Sequence, residues 1–316
     1  MRFSLVLQGP VHARSERLAE HCRRHFPKSQ IIISTWEPST SRGQDLLDSG
    51  TIDRLIINDD PGALPPTVKS PTARENNLNR MIVSSRAGIE ACDEDIVLRV
   101  RSDAWVDPLA ALQTWQGYGG LADGRLLFAS RYSRHPFGVN GYLFHLSDWI
   151  TLGRRADCLA YWSAPLMRAE EATRFDHSPC PVNRPNARRW RALMSQEQWL
   201  CTHWARSLGY PTISHLADRR PEMIESCLRF LAEKAIVADA RTLGLYLPKH
   251  AQAQRSLFQK IDCISESEWV KIKTSQGNAA PLWRKLLQPS RDVLLRLIFA
   301  KKAARQFFFV ERSASC

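Results

Sequence analysis

Short apolar runs that each end in a polar cluster constrain the fold of this chain most strongly. Four of them lie in the first hundred residues, at 3–7, 31–33, 55–57 and 96–100. Stretches with helical spacing of apolar residues separate these runs. Buried strands that alternate with helices predict an α/β fold, with a mostly parallel, Rossmann-like sheet and helices on both faces. Three further strands are predicted at 126–129, 142–144 and 235–237.

The helical segments have recognisable starts and ends. One helix is predicted from Ser15, as N-cap, to Phe26, where Pro27 stops it. Further helices are predicted at 77–92, 196–208 and 221–233. From their distribution we predict one α/β domain over residues 1–250 and a helical, basic C-terminal extension over residues 251–316.

Polar side chains follow the first four predicted strands at the point where each strand ends. They are Gln8-Gly9-Pro10, Thr35-Trp36, Asp59-Asp60 and Arg101-Ser102-Asp103. In open α/β sheets, ligands bind beyond the carboxyl ends of the strands. The sequence therefore predicts a ligand site, of the size of a nucleotide, where these clusters meet.

The segment Arg99 to Asp103 has the residue types that a phosphate site needs. Arg99 and Arg101 alternate with Val100, so both project to one side and can neutralise a phosphate or a sugar acid. Asp103 is a candidate ligand for Mg²⁺ or Mn²⁺ that bridges a diphosphate. The alternative is a strand end with a surface Arg–Asp pair, and Asp103 has no second aspartate two residues away.

Two other clusters are compatible with ordinary turns. Asp59-Asp60, before Pro61-Gly62, can accept hydrogen bonds from a base or ribose, but the same residues favour a turn. Gly9 permits close approach of a phosphate, and a turn after a strand needs it as well. Arg80 lies on a predicted helix, from which it can reach the site or remain in solvent.

Two carboxylates further along the chain are candidates for the catalytic base. Asp148 lies beside aromatic residues, and partial burial there would raise its pKa toward neutrality. The alternative is that Asp148 is the N-cap of a helix that runs through Leu152. Glu197 has the same ambiguity, because Ser195 is a suitable cap and an acid in the first helical turn is favourable.

Charge and cysteine content indicate the compartment. Residues 281–316 carry eight basic and two acidic side chains, which is half of the formal net charge of +12. We expect this end to contact an anionic inner-membrane surface. The eight cysteines are scattered, and no apolar run is long enough to span a membrane. We therefore expect a cytoplasmic protein, peripheral at the inner membrane, that binds no nucleic acid.

The order of the motifs resembles the WavE family of lipopolysaccharide-synthesis proteins. The resemblance covers residues 3–250 and includes Leu7-Gln8-Gly9-Pro10, Ile33-Ser34-Thr35-Trp36, Asp60-Pro61-Gly62, Leu98 to Asp103, Ser147-Asp148-Trp149 and Glu197-Gln198. It implies a GT-A-like glycosyltransferase of lipopolysaccharide or capsule assembly. It also implies that Gln8, Trp36, Asp60, Arg80, Arg101, Asp103, Asp148 and Glu197 belong to the site.

The sequence thus predicts transfer of a sugar from a nucleotide-sugar donor to a glycan or lipid-linked glycan acceptor. A nucleotidyltransferase that activates a sugar phosphate is the first alternative. That class usually has a glycine-rich loop with a basic residue after the first strand, and Gln8-Gly9-Pro10 lacks it. The second alternative is a non-enzymatic, membrane-associated scaffold of polysaccharide assembly that works through the basic C-terminal segment.

Overall fold

A seven-stranded sheet forms the centre of the protein. A computed structural model describes residues 2–36, 41–138, 140–181, 187–247 and 262–275. The strands are β1 (Ser4–Gln8), β2 (Gln30–Thr35), β3 (Arg54–Ile57), β4 (Ile96–Arg101), β5 (Leu126–Ala129), β6 (Ile150–Arg154) and β7 (Ala235–Ala238). Their order across the sheet is β3-β2-β1-β4-β6-β5-β7.

The helices fill the connections between the strands. They are α1 (Ala13–His25), α2 (Ser41–Asp48), α3 (Leu78–Glu90), α4 (Pro108–Gly117), α5 (Gly120–Asp123), α6 (Arg155–Trp162), α7 (Ala169–Ala172), α8 (Arg174–His177), α9 (Gln196–Ser207), α10 (Pro221–Lys234) and α11 (Glu266–Thr274). The short segment Ala187–Arg189 is a 3-10 helix.

The direction of each strand decides which chain segments meet at one edge. Strand β4 pairs with β1 in parallel, and β5 pairs with β7 in parallel. Only β6, between β4 and β5, runs the opposite way among the described strands. Right-handed crossovers place α1 and α2 on one face and α3 on the other. The carboxyl ends of six strands and the start of β6 therefore lie at one edge.

The predicted α/β class with a mostly parallel sheet is confirmed, and two local predictions at this sheet are wrong. Residues 142–144 form no strand, and Phe144 has a left-handed φ of 49°. The strand lies later, at Ile150–Arg154, so Asp148 is not the cap of a helix. A polar pair before an apolar run resembles a helix start, but pairing with β4 prevails here.

Two further expectations are corrected at the other end of the sheet. The N-cap of α1 is His12, and Ser15 lies in the first turn, where its hydroxyl accepts a hydrogen bond from the backbone N–H of His12 at 2.9 Å. Strand β3 forms the sheet edge and is only partly buried, with Ile57 53% exposed. An edge strand has one neighbour, so its apolar run is covered less.

The described part of the C-terminal region packs on the sheet domain. Helix α11 contacts α10 and β7, and the indole N–H of Trp269 donates to the carbonyl of Leu231 at 3.2 Å. The predicted boundary at residue 250 and the basic segment 281–316 lie outside the described residues. In the part that is described, no helix is both long and apolar enough to cross a membrane.

Candidate functional site

A pocket of about 590 Å³ opens at the carboxyl edge of the sheet. Six of the predicted site residues line it, namely Gln8, Gly9, Pro10, Trp36, Arg101 and Asp103. They come from the ends of β1, β2 and β4, which are neighbours in the sheet. We call this cavity the donor pocket, after the nucleotide-sugar donor that the sequence predicts. Its position agrees with the rule that ligands bind beyond the carboxyl ends of parallel strands.

The turn after β1 needs glycine for a geometric reason. Gly9 has a φ of 118°, and a Cβ atom there would lie 2.8 Å from the hydroxyl of Ser102. The backbone N–H of Gly9 donates to the carbonyl of Ser34, and that of Ser102 donates to the carbonyl of Gln8, both at 2.9 Å. The turn is therefore fixed between β2 and β4, and a ligand can approach its backbone closely.

Arg101 is the cation at the centre of the donor pocket. Its guanidinium donates to both carboxylate oxygens of Asp103 at 3.2 Å and to the carboxylate of Asp148 at 3.1 Å. It also lies 3.9 Å from the ring centre of Trp149. Burial opposes its charge, but the two carboxylates raise the pKa of Arg101 above its usual value. Arg101 therefore stays charged while it is held on three sides.

The carboxylate of Asp103 is engaged by Arg101, which bears on the predicted metal. Both of its oxygens accept hydrogen bonds from one guanidinium, and Asp103 is only 7% exposed. Among the described residues, no group of three or more His, Cys, Asp or Glu side chains surrounds a common point. A Mg²⁺ ion that bridges a diphosphate needs only one or two protein carboxylates, but Asp103 would have to release Arg101 in order to bind it. The metal role of Asp103 stays a prediction.

Arg99 lies beneath the pocket and not in its wall. It is fully buried, and its guanidinium donates to Gln8 Oε1, to the carbonyl of Asp148 and, at 3.1 Å, to the hydroxyl of Ser85. Trp162 covers it, with 4.2 Å from the guanidinium carbon to the ring centre. Burial lowers the pKa of Arg99 to about 9. Arg99 therefore remains charged near pH 7 and ties β1, α3 and Asp148 together.

A second basic side chain lies at the rim, near the ends of β2 and β3. Arg80, on α3, donates to both oxygens of Asp60 at 2.8 and 2.7 Å, and its guanidinium lies 5.7 Å from the ring centre of Trp36. The hydrogen bonds from Arg80 hold the pKa of Asp60 below its usual value. Asp59 is exposed beside this pair, and Thr35 is buried at the end of β2.

Glu197, at the same edge of the sheet, has a pKa well above that of an ordinary glutamate. It lies in the first turn of α9, which Ser195 caps through a hydrogen bond from the backbone N–H of Gln198. Burial, and then the negative charge of Asp148, raises the pKa of Glu197 to about 7. His145 Nε2 lies 3.5 Å from Glu197 Oε2. Burial, and then the charge of Arg134, lowers the pKa of His145 to about 3, so this imidazole is neutral.

Several residues of the donor pocket were not predicted from the sequence. They are His12, Arg74, Glu75, Asn77, Met81 and Gln196. His12 lies two residues after a predicted cluster and Gln196 precedes Glu197, so adjacency was an available signal. Arg74, Glu75 and Asn77 end a long proline-rich connection before α3, and nothing in their spacing indicates that this connection folds back to the pocket.

The fold and the site together define an α/β protein with a polar pocket at the carboxyl edge of its sheet. A family model described as WavE lipopolysaccharide synthesis matches residues 3–298, and the chain belongs to this family. A search of the curated proteins finds no match.

Solved structures with a similar arrangement share little sequence with this chain. Residues 1–349 of TarS from S. aureus are 13% identical, with a TM-score of 0.32, over 73% of this chain and 64% of that one. The chain covers 39% of the longer TarS structure. Mannose-1-phosphate geranyltransferase from Thermus thermophilus is 10% identical, with a TM-score of 0.26, over 69% of this chain and 72% of that one. Because these TM-scores are low, the function is inferred below from the geometry of the site and not from these structures.

Proposed function

We propose that this protein is a glycosyltransferase that moves a sugar from a nucleotide-sugar donor to a lipopolysaccharide or capsule glycan. The proposal rests on two groups at one edge of the sheet: Arg101, which lines the donor pocket, and Glu197, next to the lining residue Gln196, whose pKa is raised to about 7. One group suits a leaving diphosphate and the other suits a hydroxyl that must lose a proton. Membership of a lipopolysaccharide synthesis family supports the choice of acceptor.

The donor is held by the residues that line the pocket and its rim. The diphosphate lies against Arg101, and Arg80 at the rim adds a second positive charge. The backbone of Gly9 allows the phosphates to approach, since no side chain intervenes. The ring of Trp36, which lines the pocket, provides a flat surface for the base. The exposed Asp59 and Asp60 are positioned for the ribose.

Glu197 is the proposed general base, and Asp148 keeps its pKa raised. The acceptor hydroxyl gives its proton to Glu197 while its oxygen bonds to the anomeric carbon. The bond from that carbon to the diphosphate breaks, and the nucleoside diphosphate leaves with the electron pair. A base with a pKa near the working pH combines the right protonation state with adequate strength. Asp148, which accepts a hydrogen bond from Arg101, orients the cation that stabilises the leaving group.

Membrane attachment and a divalent cation are two further parts of the proposal. The basic segment 281–316 is proposed to hold the protein at the anionic inner-membrane surface, where a lipid-linked acceptor is available. A divalent cation is proposed to arrive with the donor diphosphate, because Arg101 already engages Asp103.

The test is a thermal-shift screen of nucleotides and nucleotide-sugars, each with and without Mn²⁺. A ligand that binds the native state raises the melting temperature by linkage. We expect one nucleotide and its sugar conjugates to stabilise the protein. If no nucleotide raises the melting temperature, the proposal is contradicted. A larger rise in melting temperature when Mn²⁺ is present would identify metal dependence.

A substitution then tests the role of Asp103. Asp103→Ala releases one side of Arg101, and we expect loss of sugar transfer while circular dichroism and the melting temperature show a folded protein. Asp45→Ala, on the exposed side of α2, is the matched control. Transfer at the wild-type rate by the Asp103→Ala protein would remove Asp103 from the site.

A further inference from the structure

The described parts of the connection from β5 to β6, residues 130–138 and 140–147, lie at the same sheet edge as the donor pocket. The connection leaves the carboxyl end of β5 and enters β6, the antiparallel strand. Tyr132 and Phe144 have φ values of 67° and 49° and are the non-glycine residues with positive φ in the described chain. Strained backbone of this kind is common at ligand sites. We call this segment the acceptor loop.

Buried polar nitrogens without hydrogen-bond partners collect in the acceptor loop. Within the described residues, Arg131 Nη1, Arg134 Nε and His145 Nδ1 are each buried and have none. Arginine nitrogens can only donate. A buried donor that loses its water without gaining a partner destabilises the native state, so such groups are rare in proteins. Three of them on one loop indicate that a ligand completes their hydrogen bonding.

A backbone hydrogen bond and a shared neighbour, Cys263, link the three residues that carry these nitrogens. The backbone N–H of Arg134 donates to the carbonyl of His145 at 2.8 Å. Arg134 Nη1 donates a hydrogen bond to Cys263 Sγ at 3.7 Å. Cys263 is also close enough to Arg131 to influence the pKa of its guanidinium. The orphaned nitrogens therefore belong to one neighbourhood between the acceptor loop and the start of the described C-terminal segment.

Arg131 differs from Arg101, Arg80 and Arg134 in having no carboxylate partner among the described residues. Arg101 and Arg80 each contact a carboxylate, and Arg134 contacts Asp262 at 2.5 Å. No described carboxylate forms an ion pair with Arg131, and burial lowers the pKa of its guanidinium. A half-buried cation without a counter-ion favours an anionic ligand, since the guanidinium fork matches phosphate and carboxylate geometry.

An aromatic pair connects the acceptor loop to the donor pocket. The ring of Tyr132 lies 6.5 Å from the ring of Trp149, centre to centre, and Trp149 lies under Arg101 at 3.9 Å. Arg134 lies 5.6 Å from the ring centre of Tyr132. Contacts through these two rings therefore link Arg134, on the acceptor loop, to Arg101 in the donor pocket.

We propose that the acceptor loop binds an oxyanion carried by the acceptor glycan, a phosphate monoester or a sugar carboxylate, with Arg131 as the principal contact. The inference rests on the proposed function, because it names the acceptor chemistry of the same site. Arg134 and His145 would complete the hydrogen bonding of the bound group. The enzyme would then prefer charged glycan acceptors over neutral ones of the same length.

The experiment measures anion binding by the full-length protein at constant ionic strength, with inorganic phosphate and glucuronate as separate probes. Isothermal titration is carried out on wild type, Arg131→Gln, Arg131→Lys and the control Arg154→Gln. Arg154 is exposed at the other end of β6, at the opposite edge of the sheet. A saturating nucleotide is present throughout, so that the donor pocket is filled.

We expect at least one probe to bind wild type and the control equally and to bind Arg131→Gln about tenfold more weakly. Arg131→Lys, which keeps the charge but loses the fork, should be intermediate. The probe with the larger loss distinguishes phosphate from carboxylate as the recognised group. Equal binding by wild type and Arg131→Gln, or no binding of either probe, would overturn the proposal.

Failure of this inference can be separated from failure of the proposed function. Arg131→Gln should bind nucleotide as wild type does, because Arg131 does not line the donor pocket. A protein that binds nucleotide but neither anion contradicts the acceptor subsite alone. A protein that binds no nucleotide contradicts the glycosyltransferase proposal. The melting temperature of Arg131→Gln shows that the fold is intact, since an orphaned donor contributes no hydrogen bond to lose.

Discussion

The two halves of the carboxyl edge differ in how their polar groups are satisfied. At the donor pocket, Arg101 and Arg80 are held by carboxylates in the absence of ligand. At the acceptor loop, Arg134 pairs with Asp262, but Arg131 has no carboxylate partner among the described residues, and each of the two keeps a buried nitrogen without a hydrogen-bond partner. The first half is organised by the protein itself, whereas the second is completed by what it binds. Substitutions in the first half should therefore affect stability, and those in the second should affect ligands.

The largest effect is expected at Arg99, which supports the donor half from below. Arg99→Met leaves Gln8, Ser85 and the carbonyl of Asp148 without their buried donor. We expect the free energy of unfolding to fall by about 3–5 kcal/mol, from the loss of a buried charged partner. Urea unfolding measures this. Arg86→Met, at an exposed position of α3, should change little, and equal losses for both would contradict the organising role of Arg99.

The next effect concerns the proton acceptor. Glu197→Gln retains shape but cannot take a proton, so we expect sugar transfer to slow by about 10²–10⁴-fold while nucleotide binding is kept. Initial rates with saturating donor measure it. Glu222→Gln is the matched control, because Glu222 occupies the same position in the first turn of α10 and is exposed. Wild-type rates in the Glu197→Gln protein would assign the proton transfer elsewhere.

The raised pKa of Glu197 also predicts how stability depends on pH. Its pKa is 4.5 in its ordinary state and about 7 in the fold, so the native state holds the proton more tightly than the unfolded state. The stability that this proton provides is complete below about pH 4.5 and is lost as pH rises through about 7. Unfolding free energies of wild type and Glu197→Gln should therefore diverge between pH 5 and pH 8, in favour of the variant at high pH. Parallel curves would show that Glu197 titrates normally.

The smallest effect is expected at the rim. Arg80→Gln removes an ion pair with Asp60 that is partly exposed, so we expect a stability loss below about 1 kcal/mol and a several-fold loss of nucleotide affinity. Arg54→Gln is matched to it, since Arg54 forms a similar pair with Asp93 at the opposite edge of the sheet. Thermal shift with and without nucleotide compares the two. Equal nucleotide affinity in both variants would leave Arg80 outside the donor contacts.

Periodicity predicted the parts of the fold that local sequence determines. Strands β1, β2 and β4 and helix α3 follow from apolar spacing, because their buried faces are continuous in sequence. Strand β6 escaped prediction because its partner β4 lies some fifty residues earlier and Ser147-Asp148 resembles a helix cap. His12 escaped as the cap of α1 because small polar residues are the usual choice there.

The candidate site was predictable in position but not in its internal pairing. Strand ends indicated where Gln8, Trp36 and Arg101 would meet, since parallel strands share one carboxyl edge. Arg99 lies below the pocket and Arg101 lies in its wall. This difference depends on contacts of both arginines with Asp148, which follows them in the chain by 49 and 47 positions. Burial of such pairs is a tertiary property, which spacing along the chain does not encode.

The reversed strand β6 has a consequence for how this protein tolerates change in length. Its ladder with β4 fixes Val100 opposite Ile150, and the backbone N–H of Arg101 donates to the carbonyl of Trp149 at 3.0 Å. Adding one residue between 148 and 154 would turn Asp148 toward the other face of the sheet, because side chains alternate. Adding one within the loop before it would leave that ladder untouched. The length of the acceptor loop can therefore change, and with it the preferred acceptor, while the register between β4 and β6 keeps Asp148 beside Arg101.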